Sequence, residues 1–155
     1  MDAKPLLVAV DFSQLTPRTI RYAVRLAQGQ GALVDLLHVM LGSLPAHAQA
    51  NAPAEVLAKI RQGEEISALR ALQGLMQTEV PEACRGRILL RRGPPADTIC
   101  TVATEAYEMV VVSTHGRTGL SQILIGSVAE RVVRHAPIPV LVVRGAGDPG
   151  DPIPD

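Results

Sequence analysis

The sequence predicts an open parallel β-sheet with helices on both faces, and three observations lead to that prediction. Short apolar runs alternate with segments of helical periodicity along the chain, which is the pattern of an α/β fold. A length of 155 residues suits one domain. Apolar residues make up 47% of the sequence and aromatic residues only 2%, so the core must consist of aliphatic side chains. Aliphatic layers are typical of a buried parallel sheet.

Five apolar runs are predicted to form the strands of this sheet. Each run is short and nearly continuous, as expected for a strand that is buried on both of its faces. The first run ends in an acid, Asp11, and the last run follows Pro139. The predicted strands are residues 5–11, 33–39, 88–92, 109–114 and 140–143.

Four segments with helical periodicity alternate with these strands. The first begins at Thr16, a predicted N-cap before a proline, and ends at a pair of glycines. The second spans residues 54–78, the third follows a Gly-Pro-Pro turn, and the fourth begins near Ser127. The side chains predicted to face the core are Leu57, Ile60, Leu69, Leu72 and Met76 in the second helix, and Val128, Val132 and Val133 in the fourth.

The charge balance and the apolar runs exclude some classes of function. Lysine and arginine total 15, and aspartate and glutamate also total 15, so no basic excess is available to bind a nucleic-acid backbone. The longest apolar run is far shorter than a membrane span, and no signal-like segment opens the chain. We therefore expect a cytoplasmic protein that binds neither nucleic acid nor membrane.

The cysteines and the C-terminal composition bound the organisation of the chain. Cys84 and Cys100 lack the CxxC spacing of a zinc or redox site, and we expect both thiols to be reduced. No metal site is predicted. Residues 145–155 are rich in glycine, proline and aspartate, so we expect a disordered tail after a single domain of residues 1–144.

The fold class also selects candidate binding residues, because open parallel sheets bind ligands beyond the carboxyl ends of their strands, where the strand order reverses. The segments that follow the predicted strands are residues 11–13, 39–41, 93 and 113–127. The last segment is rich in glycine, which allows close approach of the backbone to an anion. Gly126 and Ser127 stand where a helix begins, so N–H groups and the positive end of the helix dipole would face a phosphate.

Residues 113–143, STHGRTGLSQILIGSVAERVVRHAPIPVLVV, resemble the universal stress protein family, and the resemblance extends from residue 6 to residue 144. The nucleotide-binding branch of that family carries Gly, two residues, Gly, nine residues, Gly, and then Ser or Thr. Here Gly116, Gly126 and Ser127 match this motif, and Ser113 stands at its first glycine. The resemblance implies a Rossmann-like fold of the adenine nucleotide α-hydrolase type, with strand order 3-2-1-4-5. It also implies a homodimer through the last strand.

The same resemblance implies where the ligand would lie. Asp11 in VAVDFS matches the acid beside the nucleoside, and Val39 in LLHV matches the position whose backbone meets the adenine. The implied ligand is ATP, or else ADP or AMP, with Mg²⁺ entering only together with bound nucleotide. Arg117 is either a phosphate partner or a solvated loop charge, and His115 either serves the site or packs within its loop. The predicted nucleotide-binding residues are Asp11, Val39, Ser113, His115, Gly116, Arg117, Gly126, Ser127 and Val128.

The predicted function is an adenine-nucleotide-binding stress protein that acts as a regulatory or sensing module. The sequence contains no P-loop, no G-x-S-x-G elbow and no recognisable pair of nucleophile and base, so no catalytic residue is assigned. Two alternatives stay open. One is a nucleotide-free dimeric scaffold of the same fold that binds an unidentified protein partner. The other is a slow ATPase, because a phosphate cradle with Mg²⁺ already supplies part of the required electrostatics.

Overall fold

The computed structural model describes residues 3–42, 52–114 and 125–145, and its strands form one parallel sheet. The strands are β1 (Leu6–Ala9), β2 (Val34–Met40), β3 (Arg85–Arg92), β4 (Met109–Ser113) and β5 (Val140–Val143). Their order across the sheet is β3-β2-β1-β4-β5, and every pair of neighbours is parallel. The predicted fold class and strand order are confirmed.

Helices cover both faces of this sheet, as predicted. They are α1 (Thr16–Gln30), α2 (Ala54–Glu79), α3 (Pro95–Ala103) and α4 (Ser127–His135), and a short 3₁₀ turn occupies Glu82–Cys84. On one face, Ile20 of α1 and Leu72 of α2 pack into a cluster of buried aliphatic side chains. On the other face, Ile99 of α3 and Val132 of α4 belong to a second such cluster. The core is thus two aliphatic layers on either side of the sheet.

The central strand β1 determines where a ligand could bind. Leu6 of β1 pairs with Val34 of β2 on one side and with Met109 of β4 on the other. The chain continues from β1 into α1 on one face of the sheet, whereas α4, the next described helix after β4, packs on the opposite face. The helices that follow β1 and β4 therefore lie on opposite faces, and a cleft is expected at the carboxyl edge between these two strands.

Two strand ends differ from the predicted bounds by two or three residues, and the other ends differ by at most one. β1 ends at Ala9 rather than Asp11, because the Asp11 carboxylate turns to accept hydrogen bonds from the segment that leads into α1. β3 begins at Arg85, before the predicted start at residue 88, because Arg85 pairs with Val34 of β2. The register shifts after this pair, and there the backbone N–H of Arg87 donates to the Asp35 carboxylate instead of to a backbone carbonyl of β2. Apolar periodicity alone therefore predicts neither bound.

The two ends of α1 agree only in part with prediction. Its N-cap is Leu15, not Thr16, because the Thr16 hydroxyl donates to Asp11 instead of capping the helix. At the other end, Gly31 adopts a left-handed conformation with φ 65° and closes the helix as the glycine pattern predicts.

The inner face of α2 is shorter than predicted, since Ile60 and Leu69 are 43% and 37% exposed. The physical reason is length. The 26 residues of α2 extend about 39 Å, whereas the seven residues of β2 span about 23 Å. The helix therefore extends beyond the sheet, and its only buried residues are Leu72 and Met76.

Of the three core positions predicted in α4, Val132 is buried and the other two are not. Val128 and Val133, both predicted to face the core, are 39% and 50% exposed. Ala129 and Val132 are the buried positions. This i, i+3 pair lets the small Ala129 side chain bring the helix close to the sheet, which turns the flanking valines to either side.

A buried carboxylate joins β2, β3 and the segment before β4. The Asp35 side chain is 2% exposed and accepts hydrogen bonds from the Arg87 backbone N–H (2.7 Å), Arg87 Nε (2.9 Å) and the Tyr107 hydroxyl (2.8 Å). The hydrogen bond to Asp35 raises the pKa of Arg87. Burial, together with the bond to Asp35, raises the pKa of Tyr107. The carboxylate is thus paired and hydrogen-bonded, as a buried charge requires.

Gly86 gives this network its close strand contact, because a Cβ there would collide with Asp35 Oδ1 and lie 2.8 Å from the Val34 carbonyl oxygen. We expect Gly86→Ala to lower the free energy of unfolding by about 1–3 kcal/mol through overpacking. The matched control is Gly74→Ala in α2, where an added Cβ meets nothing within 4 Å. That control should raise stability by roughly 0.5–1 kcal/mol. Urea unfolding of the three proteins measures both effects, and equal changes in the two variants would contradict the expectation.

Stability should also depend on the proton of Tyr107, which is 3% exposed. An unfolded tyrosine loses its proton at a pH of about 10. In the folded chain the raised pKa of Tyr107 keeps its hydroxyl protonated at that pH. Folding stability should therefore fall as the pH rises above about 10, by at most about 1.4 kcal/mol per pH unit from this group. Urea unfolding at pH 9, 10 and 11 should show a steeper fall for the unmodified chain than for Tyr107→Phe. Parallel pH profiles would contradict this assignment.

Candidate functional site

A cleft of about 1010 Å³ opens at the carboxyl edge of the sheet, beside the ends of β1 and β4. The ends of β1, β2 and β4 form its floor, and residues of α2 and the start of α4 form two of its sides. This is the edge at which the fold class predicts a ligand. The volume lies at the upper end of the range typical of small-molecule sites.

The carboxylate of Asp11 lies in this cleft and is fixed by three donors from two sides. Oδ1 accepts from the Ser13 backbone N–H at 2.9 Å and from the Thr16 hydroxyl at 3.0 Å. Oδ2 accepts from the Ser113 hydroxyl at 3.1 Å. Asp11 therefore has a structural role, since it ties the start of α1 to the end of β4. The same bonds hold the carboxylate in one orientation toward the cleft.

An aromatic pair lies beside Asp11. Phe12 has φ 57°, the one left-handed conformation of a non-glycine residue in the described part of the chain. Its ring lies against that of His38, with centroids 4.4 Å apart and planes tilted by 45°. The Val10 carbonyl oxygen lies 2.7 Å from His38 Nδ1, and since a carbonyl only accepts, Nδ1 carries a proton. A strained backbone of this kind is most often found at ligand sites and switches.

The N-terminus of α4 faces the opposite part of the cleft. Its N-cap is Gly126, which has an extended backbone and no side chain to occupy the N–H groups of the first turn. The Gly126 N–H itself donates to the Thr114 carbonyl oxygen, which holds the helix start beside the end of β4. Ser127 is the first helical residue, and both Gly126 and Ser127 line the cleft. A helix N-terminus in this setting favours an anion.

Arg92 closes the end of the cleft near β2 and β3. Its guanidinium pairs with Glu65 of α2 at 3.1 Å and donates to the Leu41 carbonyl oxygen at 3.2 Å. These bonds fasten α2 to the chain that leaves β2. Val39, whose neighbour in the sheet is Arg91, lines the same end of the cleft.

Most of the predicted site residues come together here. Those that line the cleft are Asp11, Val39, Ser113, Gly126, Ser127 and Val128. Three others, His115, Gly116 and Arg117, lie outside the described residues. Sequence reasoning did not identify His38, Thr16 or Arg92 as parts of the site. His38 precedes Val39 at the end of β2 and could have been found by the carboxyl-edge rule, whereas the role of Thr16 depends on a turn that the sequence does not specify.

Two further findings concern the described residues. Within 3–42, 52–114 and 125–145, no three side chains of His, Cys, Asp or Glu are placed to hold a metal ion together. The helices of these same segments include none with the length and apolarity that a membrane crossing requires. Both cysteines are free thiols, and burial, followed by the nearby Asp97 charge, raises the pKa of Cys100.

Comparison with known proteins gives solved structures of the same fold with nucleotides. A universal stress protein from Archaeoglobus fulgidus in complex with dAMP has a TM-score of 0.59 and 24% identity, covering 93% of this chain and all of that chain (100%). A universal stress protein in complex with cAMP has a TM-score of 0.62 and 22% identity, covering 93% of this chain and 99% of that one. At these identities the likeness concerns the fold.

Sequence comparison gives the family. Universal stress protein G from Escherichia coli O157:H7 is 34% identical over 148 residues, which cover 91% of this chain and 99% of that protein. The family model "Universal stress protein family" matches residues 3–144, nearly the whole length of the described fold. The chain therefore belongs to the universal stress protein family.

Proposed function

We propose that this protein binds an adenine nucleotide in the cleft at the carboxyl edge of the sheet and acts as a regulatory or sensing module. One observation carries the proposal. A single cleft brings together the Asp11 carboxylate, which accepts hydrogen bonds, and the N-terminus of α4, which donates them. A nucleotide has the matching pair of ends, since its sugar hydroxyls donate and its phosphates accept.

The phosphates would lie at the start of α4. The first-turn N–H groups after Gly126 and the hydroxyl of Ser127 are donors, and the helix dipole adds a positive potential there. Gly116 and Arg117, which lie outside the described residues, are proposed as further phosphate contacts on the basis of the motif spacing. Mg²⁺ would enter with the phosphates of ATP, whose oxygens are ligands of the kind that this ion prefers.

The nucleoside would occupy the part of the cleft between β1 and β2. Asp11 would meet the sugar, and the backbone of Val39 would meet the adenine edge. The walls near these residues are largely apolar, with Ala9, Val112 and the Phe12 ring among them. Apolar walls with a few placed polar groups are typical of sites for planar ligands.

The comparisons support the ligand class. Two structural relatives were solved with dAMP and with cAMP, and both ligands are adenine nucleotides with a single phosphate. For this chain we propose ATP, with ADP or AMP as other occupants. Location in the cytoplasm and a role in the stress response are part of the same proposal, on the strength of family membership.

The first test replaces the glycine at the start of α4. Gly126→Val would place a branched side chain where the phosphate oxygens are proposed to sit, and should weaken ATP binding by at least about tenfold, or ~1.4 kcal/mol. Isothermal titration calorimetry with ATP and Mg²⁺ measures the change. The matched control is Gly29→Val in the last turn of α1, where an added Cβ meets nothing within 4 Å. It should bind ATP as the unmodified chain does. Equal affinities for Gly126→Val and the unmodified chain would rule out phosphate binding at this helix.

We also propose that two copies of the chain pair through β5. This strand is at the edge of the sheet and pairs only with β4 among the described strands. Its residues Val140, Leu141 and Val142 are each only partly buried, although all three are apolar. An apolar edge strand with unpaired backbone groups is prone to associate, and pairing with a second copy would cover it.

The second test therefore introduces a charge at this edge. Val142→Asp should convert the proposed dimer to monomer, or raise its dissociation constant by at least about tenfold, because the carboxylate would be buried without a partner. Light scattering at micromolar protein concentration measures the mass. Val56→Asp is the control, since Val56 is 45% exposed at the far end of α2, and it should leave the mass unchanged. A monomeric unmodified chain would overturn the proposal.

A further inference from the structure

We propose that Ser113 is a positioning residue that makes this cleft selective for ribonucleotides over deoxyribonucleotides. Its hydroxyl donates to Asp11 Oδ2 at 3.1 Å and thereby leaves that oxygen one direction in which to accept from a ligand. This inference rests on the proposed nucleotide site. It goes beyond that proposal because it assigns a role to a serine at a position where the family motif has glycine.

The Asp11 carboxylate has a limited number of positions at which it can accept hydrogen bonds. A carboxylate offers about four lone-pair positions, two on each oxygen. Both positions on Oδ1 are taken, by the Ser13 backbone N–H and by the Thr16 hydroxyl. Ser113 takes one position on Oδ2. Among the described contacts, the remaining acceptor position is therefore the second lone pair of Oδ2, next to the Ser113 hydroxyl.

The hydrogen bond between Ser113 and Asp11 lies at the carboxyl edge of the sheet. Ser113 is the last residue of β4, paired with Val143 of β5, and Asp11 follows β1. Their hydrogen bond therefore bridges the ends of the two neighbouring strands that are followed by helices on opposite faces of the sheet. Both residues line the cleft, so the last acceptor position of Oδ2 is adjacent to the space that a ligand would occupy.

The open position on Asp11 Oδ2 selects for a ligand that carries a hydrogen-bond donor. An ionised carboxylate only accepts, so a ligand group that meets Oδ2 must bring a donor. A ribose hydroxyl is such a donor, and a deoxyribose lacks one of the two hydroxyls of the ribose. A ligand without the hydroxyl leaves the Oδ2 lone pair desolvated, which is more unfavourable than never forming the bond in water.

The Ser113 hydroxyl determines how strongly the site prefers ribose to deoxyribose. The Ser113 hydroxyl is a fixed donor to one position on Oδ2, so it cannot move to the position that a deoxy sugar leaves open. Without the hydroxyl, water enters the vacated space, and a water can move to whichever position on Oδ2 the sugar leaves without a donor. The missing sugar hydroxyl is then partly replaced, and the preference for ribose falls.

The experiment compares three ligands by titration calorimetry: ATP, 2′-deoxyATP and 3′-deoxyATP, each with Mg²⁺. For the unmodified chain, we expect at least one of the deoxy ligands to bind about tenfold more weakly than ATP, the factor for one hydrogen bond to a charged group. For Ser113→Ala and Ser113→Gly, we expect this ratio to fall below about threefold. Ser113→Thr retains the hydroxyl and should retain the ratio.

The ratio of affinities separates positioning from a general loss of structure, because a loosened fold weakens all three ligands together. Thr104→Ala, which removes an exposed hydroxyl bonded to the Thr101 carbonyl on α3, is the control and should keep the unmodified ratio. Equal affinities of the unmodified chain for the three ligands, or an unchanged ratio in both Ser113→Ala and Ser113→Gly, would overturn the inference while ATP binding stands. Absence of ATP binding by the unmodified chain would instead remove the proposed function on which the inference rests.

Discussion

The position of β1 between β2 and β4 is the constraint on which the rest of the molecule depends. Because both of its edges are hydrogen-bonded, β1 has no edge through which the chain could continue within the sheet, and its connection must pass over a face. The same holds for the connection after β4, which reaches a helix on the opposite face. The cleft is therefore a consequence of strand order alone, and side chains only decide what the cleft can hold.

Apolar pattern predicts this fold well and its polar details poorly. The five strands and four α-helices of the described residues follow from short aliphatic runs alternating with helical periodicity, because burial on two faces selects for those residues directly. The errors arise where a hydrogen bond decides the outcome. Asp11 bonds to the segment after β1, Asp35 bonds to the backbone of β3 where the register shifts, and Thr16 bonds to a carboxylate rather than to its own helix. Such contacts join residues across turns and strands, so the local periodicity of the sequence does not predict them.

The candidate site shows the same division. The carboxyl-edge rule and the family motif together predict Asp11, Val39, Ser113, Gly126 and Ser127 at one cleft, because both depend on where strands end and where a helix begins. Neither predicts the left-handed Phe12 or its contact with His38, which depend on the path of a single turn. The two halves of the site also differ physically. One is a carboxylate held by three side-chain and backbone donors, and the other is a helix terminus with no side chain at its cap.

The unequal lengths of α2 and the sheet have a consequence for local unfolding. A helical turn without tertiary packing is marginal in water, so the first half of α2 draws little stability from the core, while Leu72 and Met76 anchor its second half. Opening of the first turns should therefore require far less free energy than global unfolding. Because Gly63 and Glu64 of α2 line the cleft, one wall of the cleft lies at the junction between these two halves. The opposite wall, at the start of α4, is tied to the end of β4 through Thr114. The wall formed by α2 should therefore open more readily than the wall at α4, because α2 is longer than the sheet that it covers.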